Sequence, residues 1–222
     1  MQRFSPNLDA LSEAQRQLWD ELGAVPDAFT LYGGTAIALQ LGHRTSVYFD
    51  FFGHPPMDVT ALVRALPFLA GGEIVERQKC KLTARVHRGA PVTVSFVGVT
   101  RLPRFAPRLV AGDNGLKVAS LLDLAGTKAM VVQVRGAAED YIDMDALIHM
   151  GGVSLSSALA AARTLYGKSF DPWITVKALA CFDDRQVRGL SHDSKLRLAD
   201  AVKNVDLDHL PRLARIEDRE QD

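Results

Sequence analysis

Phe29-Thr30-Leu31-Tyr32-Gly33-Gly34-Thr35-Ala36-Ile37-Ala38-Leu39-Gln40-Leu41-Gly42, followed closely by Ser46-Val47-Tyr48-Phe49-Asp50-Phe51-Phe52, is the stretch that decides the fold. Phe29–Tyr32 reads as a short strand running into the glycine pair. Thr35 then opens a short helix over Ala36–Leu41, and Gly42 stops it, because glycine accepts the left-handed backbone that ends helices. Ser46–Phe52 alternates as a strand does. Val47, Phe49 and Phe51 take one face, and Ser46, Tyr48, Asp50 and Phe52 the other. A diglycine between strand and helix lets the backbone approach a phosphate, with the helix N–H groups aimed at it. A carboxylate on the adjoining strand, here Asp50, can hold Mg2+ against a triphosphate. Tight packing explains most such glycine pairs, so Gly33-Gly34 alone does not settle a phosphate site.

Outward from this stretch, Ser5–Leu22 reads as one amphipathic helix, with Leu8, Leu11, Leu18 and Leu22 on a stripe and Trp19 beside it. Pro55-Pro56 ends the Asp50 strand, and Val59–Leu69 reads as a helix closed by Gly71-Gly72. Three strands follow, Glu73–Arg77, Lys81–Val86 and Val92–Val97, the last two joined as a hairpin through His87–Ala90. Val110 and Leu116–Val118 add short strands. Ser120 and Asp123 have capping-box spacing and open a helix to about Arg135. Further helices span Ala138–Met150, Ser154–Gly167 and Asp171–Phe182, the last with proline at its first helical position, and weaker helices follow. The pattern predicts an α/β domain over residues 1–112 and a helical region over 113–222.

The 222 residues are 47% hydrophobic and 23% charged, enough for a sizeable core without disulfides. Lys+Arg and Asp+Glu both number 26, so bulk charge gives no sign of a nucleic-acid or membrane partner. Cys80 and Cys181 have no metal-ligand spacing and read as reduced thiols. The first residues show no signal peptide, and no run approaches the ~18 apolar residues of a membrane span. A soluble cytoplasmic protein is expected.

Two blocks of sequence resemble the AbiEii/AbiGii nucleotidyltransferase-like toxins of bacterial toxin–antitoxin and phage-defence systems. The first is Gly33-Gly34-Thr35-Ala36, Leu41-Gly42-His43-Arg44-Thr45-Ser46 and Phe49-Asp50-Phe51-Phe52. The second is Leu116–Ala125 leading to Lys128, Arg135 and Glu139-Asp140-Tyr141-Ile142-Asp143. The resemblance implies a mixed-sheet nucleotidyltransferase α/β core with flanking helices, then a C-terminal helical region, with the active site between them. It implies that Gly33, Gly34 and Thr35 meet the triphosphate, with Arg44, Ser46 and Arg135 also nucleotide-binding. It further implies that Asp50 binds Mg2+, Lys128 approaches the phosphates and Asp140 joins the catalytic set. Asp140 and Asp143 lie three apart on one helical face. They either orient Lys128 or Arg135, join the metal, or form a salt-bridge network that pins helix to helix.

One position departs from the family pattern. Its D-x-D strand motif has Tyr48 at the first position, and a neutral phenol cannot replace a metal-binding carboxylate. The candidate strand for a third acid offers only Thr93 and Ser95. Asp50 thus stands nearly alone, and two-metal catalysis is not expected. The first reading is an NTP·Mg2+-binding protein that transfers a nucleotidyl group to an RNA or protein acceptor if active, with a cognate antitoxin as a partner. The alternative is a catalytically degenerate member that binds a nucleotide or a partner protein. Arg101, Arg104, Arg108 and Lys117 form a basic stretch that either faces RNA phosphates or is a solvated loop. Ser191-His192 lacks a hydrolase context, and Trp19 and Trp173 are expected in the core.

Overall fold

Period-two alternation builds one mixed sheet in the first part of the chain, and a computed structural model describes residues 2–99, 104–183 and 187–216. The chain divides into two compact units, Met1–Leu102 with Pro107–Ala119, and Pro103–Ala106 with Ser120–Asp222. The first unit holds β1 (Gln2–Phe4), α1 (Glu13–Trp19), β2 (Phe29–Tyr32), α2 (Gly33–Leu41), β3 (Tyr48–Gly53), α3 (Val59–Ala65), β4 (Glu73–Gln78), β5 (Lys81–Arg88), β6 (Ala90–Gly98), β7 (Leu109–Ala111) and β8 (Lys117–Val118). The second holds α4 (Leu121–Val134), α5 (Ala138–His149), α6 (Leu155–Tyr166), α7 (Pro172–Ala180) and α8 (His192–Lys203). This is the mixed α/β architecture with a C-terminal helical region expected from the sequence.

The strand order is β1-β7-β8-β2-β3-β6-β5-β4. β3 runs antiparallel to β2 and parallel to β6, with Asp50 opposite Tyr32 on one side and Ser95 on the other. Phe49 and Phe51, on the face opposite Asp50, are fully buried together with Val94, Phe96, Leu82 and Ala84. Phe51 stacks on Phe96 at 5.0 Å, and Trp19 of α1 lies 6.4 Å from Phe49. Each such ring contributes roughly 1.5–3 kcal/mol by leaving water, which fixes which face of β3 turns inward. A one-residue slip would bury Asp50 in that aromatic layer, so burial of the phenylalanines also aims the carboxylate.

The N-terminal segment differs from the single helix expected over Ser5–Leu22. Leu8–Ala10 is a separate 3-10 turn, and α1 starts anew at Glu13. Ser12 breaks the run: its hydroxyl accepts from Gln15 N at 3.3 Å while Gln15 Oε1 accepts from Ser12 N at 3.0 Å. This capping box outcompetes helix continuation, and Leu11 is left extended, bridging to Ser46. Gln2–Phe4, with no strand signal of its own, pairs parallel to β7. The helix expected over Val59–Leu69 stops at Ala65, and Pro67 opens a 3-10 turn.

In the second unit α4 and α6 approach so closely that a Cβ on Gly126 would stand 2.8 Å from Ala161 Cβ. Trp173 is not in the core, being 68% exposed. The buried residues of α7 are Pro172, Thr175, Val176 and Leu179, a stripe that leaves Trp173 and Ile174 on the opposite arc. No helix among the described residues is long and apolar enough to cross a membrane.

Candidate functional site

The first unit brings Gly33, Gly34, Thr35, Ser46, Tyr48 and Asp50 together where β2 turns into α2. Gly33 is the first residue of α2 and has φ +74°, a conformation that side chains resist. A Cβ there would also lie 3.0 Å from Asp50 Oδ2. The backbone angle therefore favours glycine, and the carboxylate sits against the opening peptides of the helix. Thr35 is 1% exposed, and its hydroxyl is committed to Ser46 Oγ at 2.9 Å and to the Tyr48 carbonyl. These contacts tie α2 to the start of β3, a link invisible in the sequence. Arg44 precedes β3 and donates to the Thr45 carbonyl at 3.0 Å.

On the Asp50 face, register places Tyr48 opposite Thr93, and Asp50 opposite Ser95. Ser95 Oγ lies 3.3 Å from Thr83 Oγ1 on β5. Cross-strand neighbours stand about 5 Å apart, so these are the groups a ligand at Asp50 would meet on the sheet. One carboxylate with hydroxyls beside it suits a single Mg2+ whose other ligands are phosphate oxygens and water. It does not suit a metal pair, which shares carboxylates over about 4 Å. Among the described residues no three His, Cys, Asp or Glu side chains are grouped to hold a metal.

The second unit brings together Lys128, Arg135, Asp140 and Asp143. Lys128 Nζ on α4 lies 2.7 Å from Asp140 Oδ1 and 2.7 Å from Asp143 Oδ2 on α5, and both carboxylates are fully buried. Arg135 reaches Asp140 through Nε at 2.9 Å and Nη2 at 2.6 Å, and Asp140 also accepts from Ala137 N at 3.3 Å. Burial pushes the Asp140 carboxyl upward, but the Arg135 hydrogen bonds and the Lys128 charge outweigh it and hold it below the usual range. The same bonds raise the Arg135 guanidinium.

Two further networks carry no sequence signal beyond local spacing. Asp145 on α5 accepts Arg197 of α8 at 2.9 and 2.5 Å, and lies 3.0 Å from His149. Only its i,i+4 relation to His149 was readable; Arg197 is distant in sequence. Asp123 accepts from Ser120 Oγ at 2.7 Å and Phe105 N at 2.8 Å, and burial pushes its carboxyl up. Of the basic stretch, Arg101 lies outside the described residues. Lys117 pairs with Asp27 at 3.0 Å, Arg108 donates to the Asp27 carbonyl at 3.4 Å, and Arg104 bridges to Ile216.

The sequence profile of the AbiEii nucleotidyl transferase toxins, of type IV toxin–antitoxin systems, matches residues 16–221. The chain belongs to the AbiEii family. An uncharacterized protein of Aquifex aeolicus (strain VF5) is 30% identical over 179 residues, covering 78% of this chain and 84% of that protein. The fold of this AbiEii-family chain is similar to the crystal structure of a candidate nucleotidyltransferase from H. pylori. The TM-score is 0.55 at 18% identity, over 85% of this chain and 91% of that one.

Proposed function

We propose that this AbiEii-family protein binds a nucleoside triphosphate with one Mg2+ at the Gly33-Gly34 end of α2, and that nucleotidyl transfer is disarmed at Tyr48. The observation that carries the reading is the β3–β6 register, which sets Tyr48, Thr93 and Ser95 around Asp50 and leaves Asp50 as the one carboxylate of β3 and β6. The free N–H groups opening α2 would meet phosphate oxygens, and Arg44 would add a cation at the approach to β3. Asp50 would hold Mg2+, which supplies charge neutralisation of the phosphates when bound. Lys128, Arg135, Asp140 and Asp143 pin α4 to α5 in this reading, because the lysine's charge is already matched by two buried carboxylates.

The acceptor lost with the second acid is an RNA or a protein hydroxyl, and the setting is the bacterial cytoplasm beside a cognate antitoxin. The test is transfer of label from each Mg2+·NTP to RNA and protein acceptors, by the natural chain and by Tyr48→Asp. Transfer and growth arrest appearing only with Tyr48→Asp support the reading. Efficient transfer by the natural chain overturns the disarmed site. Failure of either protein to bind any NTP overturns the nucleotide role.

A further inference from the structure

On the face of the sheet opposite Asp50, an apolar hollow adjoins a cationic one. Cross-strand partners share a face. Arg77 of β4 pairs with Leu82, Leu82 with Phe96 and Phe96 with Phe51, which sets Arg77 on the Phe51 side. Phe29 is on that side too, in edge contact with Phe96 at 5.2 Å. Pro26, Phe29 and Met57, with Ala61, Leu62 and Ala65 of α3, line most of a hollow of about 210 Å3, alongside the exposed His54. That volume exceeds the ~150 Å3 that admits a benzene ring and falls short of the ~300 Å3 at which drug-sized sites begin. It suits one side chain rather than a cofactor. Met57 and Asp58 also line a wider, polar hollow of about 490 Å3, together with Thr60, Arg77, Gln78 and Lys79. Arg77 Nη2 donates to Thr60 Oγ1 at 2.6 Å, which holds the guanidinium against the start of α3. Among the described residues neither Arg77 nor Lys79 pairs with an acid, whereas Lys81 meets Glu76 at 2.6 Å and Arg85 meets Glu73 at 2.7 Å. Asp58, the carboxylate on that wall, is taken up as the N-cap of α3, accepting from Thr60 N and Ala61 N at 2.9 Å each. The polar hollow is therefore positive, with both of its cations unmatched.

We propose that this groove docks an acidic segment of a protein partner. The segment places one leucine- or phenylalanine-sized side chain in the hollow beside Phe29 and sets a neighbouring carboxylate against Arg77 and Lys79. The apolar hollow supplies the anchor, and the unmatched cations select an acid beside it. The groove lies across the sheet from Asp50, so the proposal is independent of the nucleotide reading above.

Selection of a random heptapeptide library on the whole chain, followed by anisotropy titration of the enriched peptides in fluorescent form, tests this. Enriched sequences are expected to carry a large apolar residue beside Asp or Glu. Ala61→Trp fills the hollow and is expected to weaken their binding about tenfold or more. Arg77→Glu combined with Lys79→Glu is expected to weaken it about tenfold. All three positions are exposed, so thermal unfolding of the variants is expected to change little, and it separates lost docking from lost folding. No enriched motif of this kind, or peptides that bind Ala61→Trp as tightly as the natural chain, overturns the proposal. Binding of poly-uridine RNA or phosphatidylglycerol vesicles that is lost in the double charge reversal, with no peptide bound, assigns the cations to a different partner and overturns it as well.

Discussion

Replacing Lys128 with Met separates a structural lysine from a phosphate-binding one. In the structure its ammonium lies 2.7 Å from each of two fully buried carboxylates, Asp140 and Asp143. Removing the cation leaves Asp140 with Arg135, but strips the lysine bond from both acids in a medium that solvates charge poorly. Breaking a buried pair in this way costs about 3–5 kcal/mol. With a urea slope near 2 kcal/mol/M, the unfolding midpoint at pH 7 falls by about 1.5–2.5 M. The pH dependence has a definite sign. The Asp140 carboxyl is held below its ordinary range, so its contribution is present above the unfolded value of about 4 and is lost as pH falls through the folded one. The gap between the natural chain and Lys128→Met therefore narrows below about pH 4. Adding Asp143→Asn to Lys128→Met recovers part of the loss, since it removes one of the two negative charges that faced the lysine. A midpoint within about 0.5 M of the natural chain, with nucleotide binding abolished, would refute the reasoning and return Lys128 to the phosphates.

Gly33→Ala forces a side chain into φ +74° and against Asp50 Oδ2, so it costs about 1–3 kcal/mol in chemical denaturation and removes NTP binding in calorimetry. Thr35→Val deletes the bonds to Ser46 and to the Tyr48 carbonyl inside a buried site, with an expected loss of about 1–3 kcal/mol by urea titration. Gly126→Ala gains about 1 kcal/mol of helix propensity. The new methyl meets Ala161 Cβ at 2.8 Å, and overpacking costs about 1–3 kcal/mol, so the net change is a lower midpoint.

The parts of the fold that were legible in the sequence are those with local causes. Phe49 and Phe51 alternate with Asp50, and burial of the two rings set the strand face as the pattern required. Gly42 ends α2 at φ +65°, and Asp171-Pro172 opens α7, because caps act within a turn. What escaped depended on distant partners or on competition between local options. The Ser12–Gln15 capping box split a segment whose leucine spacing suggested one helix. Trp173 followed an apolar pattern whose buried stripe runs through Pro172, Thr175, Val176 and Leu179 and misses it. β1 exists because β7 offers it an edge. At the candidate site, Gly33, Asp50 and the absence of a second acid at Tyr48 were readable. The commitment of the Thr35 hydroxyl to the Tyr48 carbonyl was not, since it joins residues 13 apart through the third dimension.

Calorimetric titration of GTP and ATP into the natural chain and Asp50→Ala, each with and without Mg2+, decides whether this site holds a nucleotide. The account predicts Mg2+-dependent binding by the natural chain and loss of that dependence in Asp50→Ala, with the fold unchanged. Equal binding by both proteins, or Mg2+-dependent binding that survives in Asp50→Ala, would contradict it.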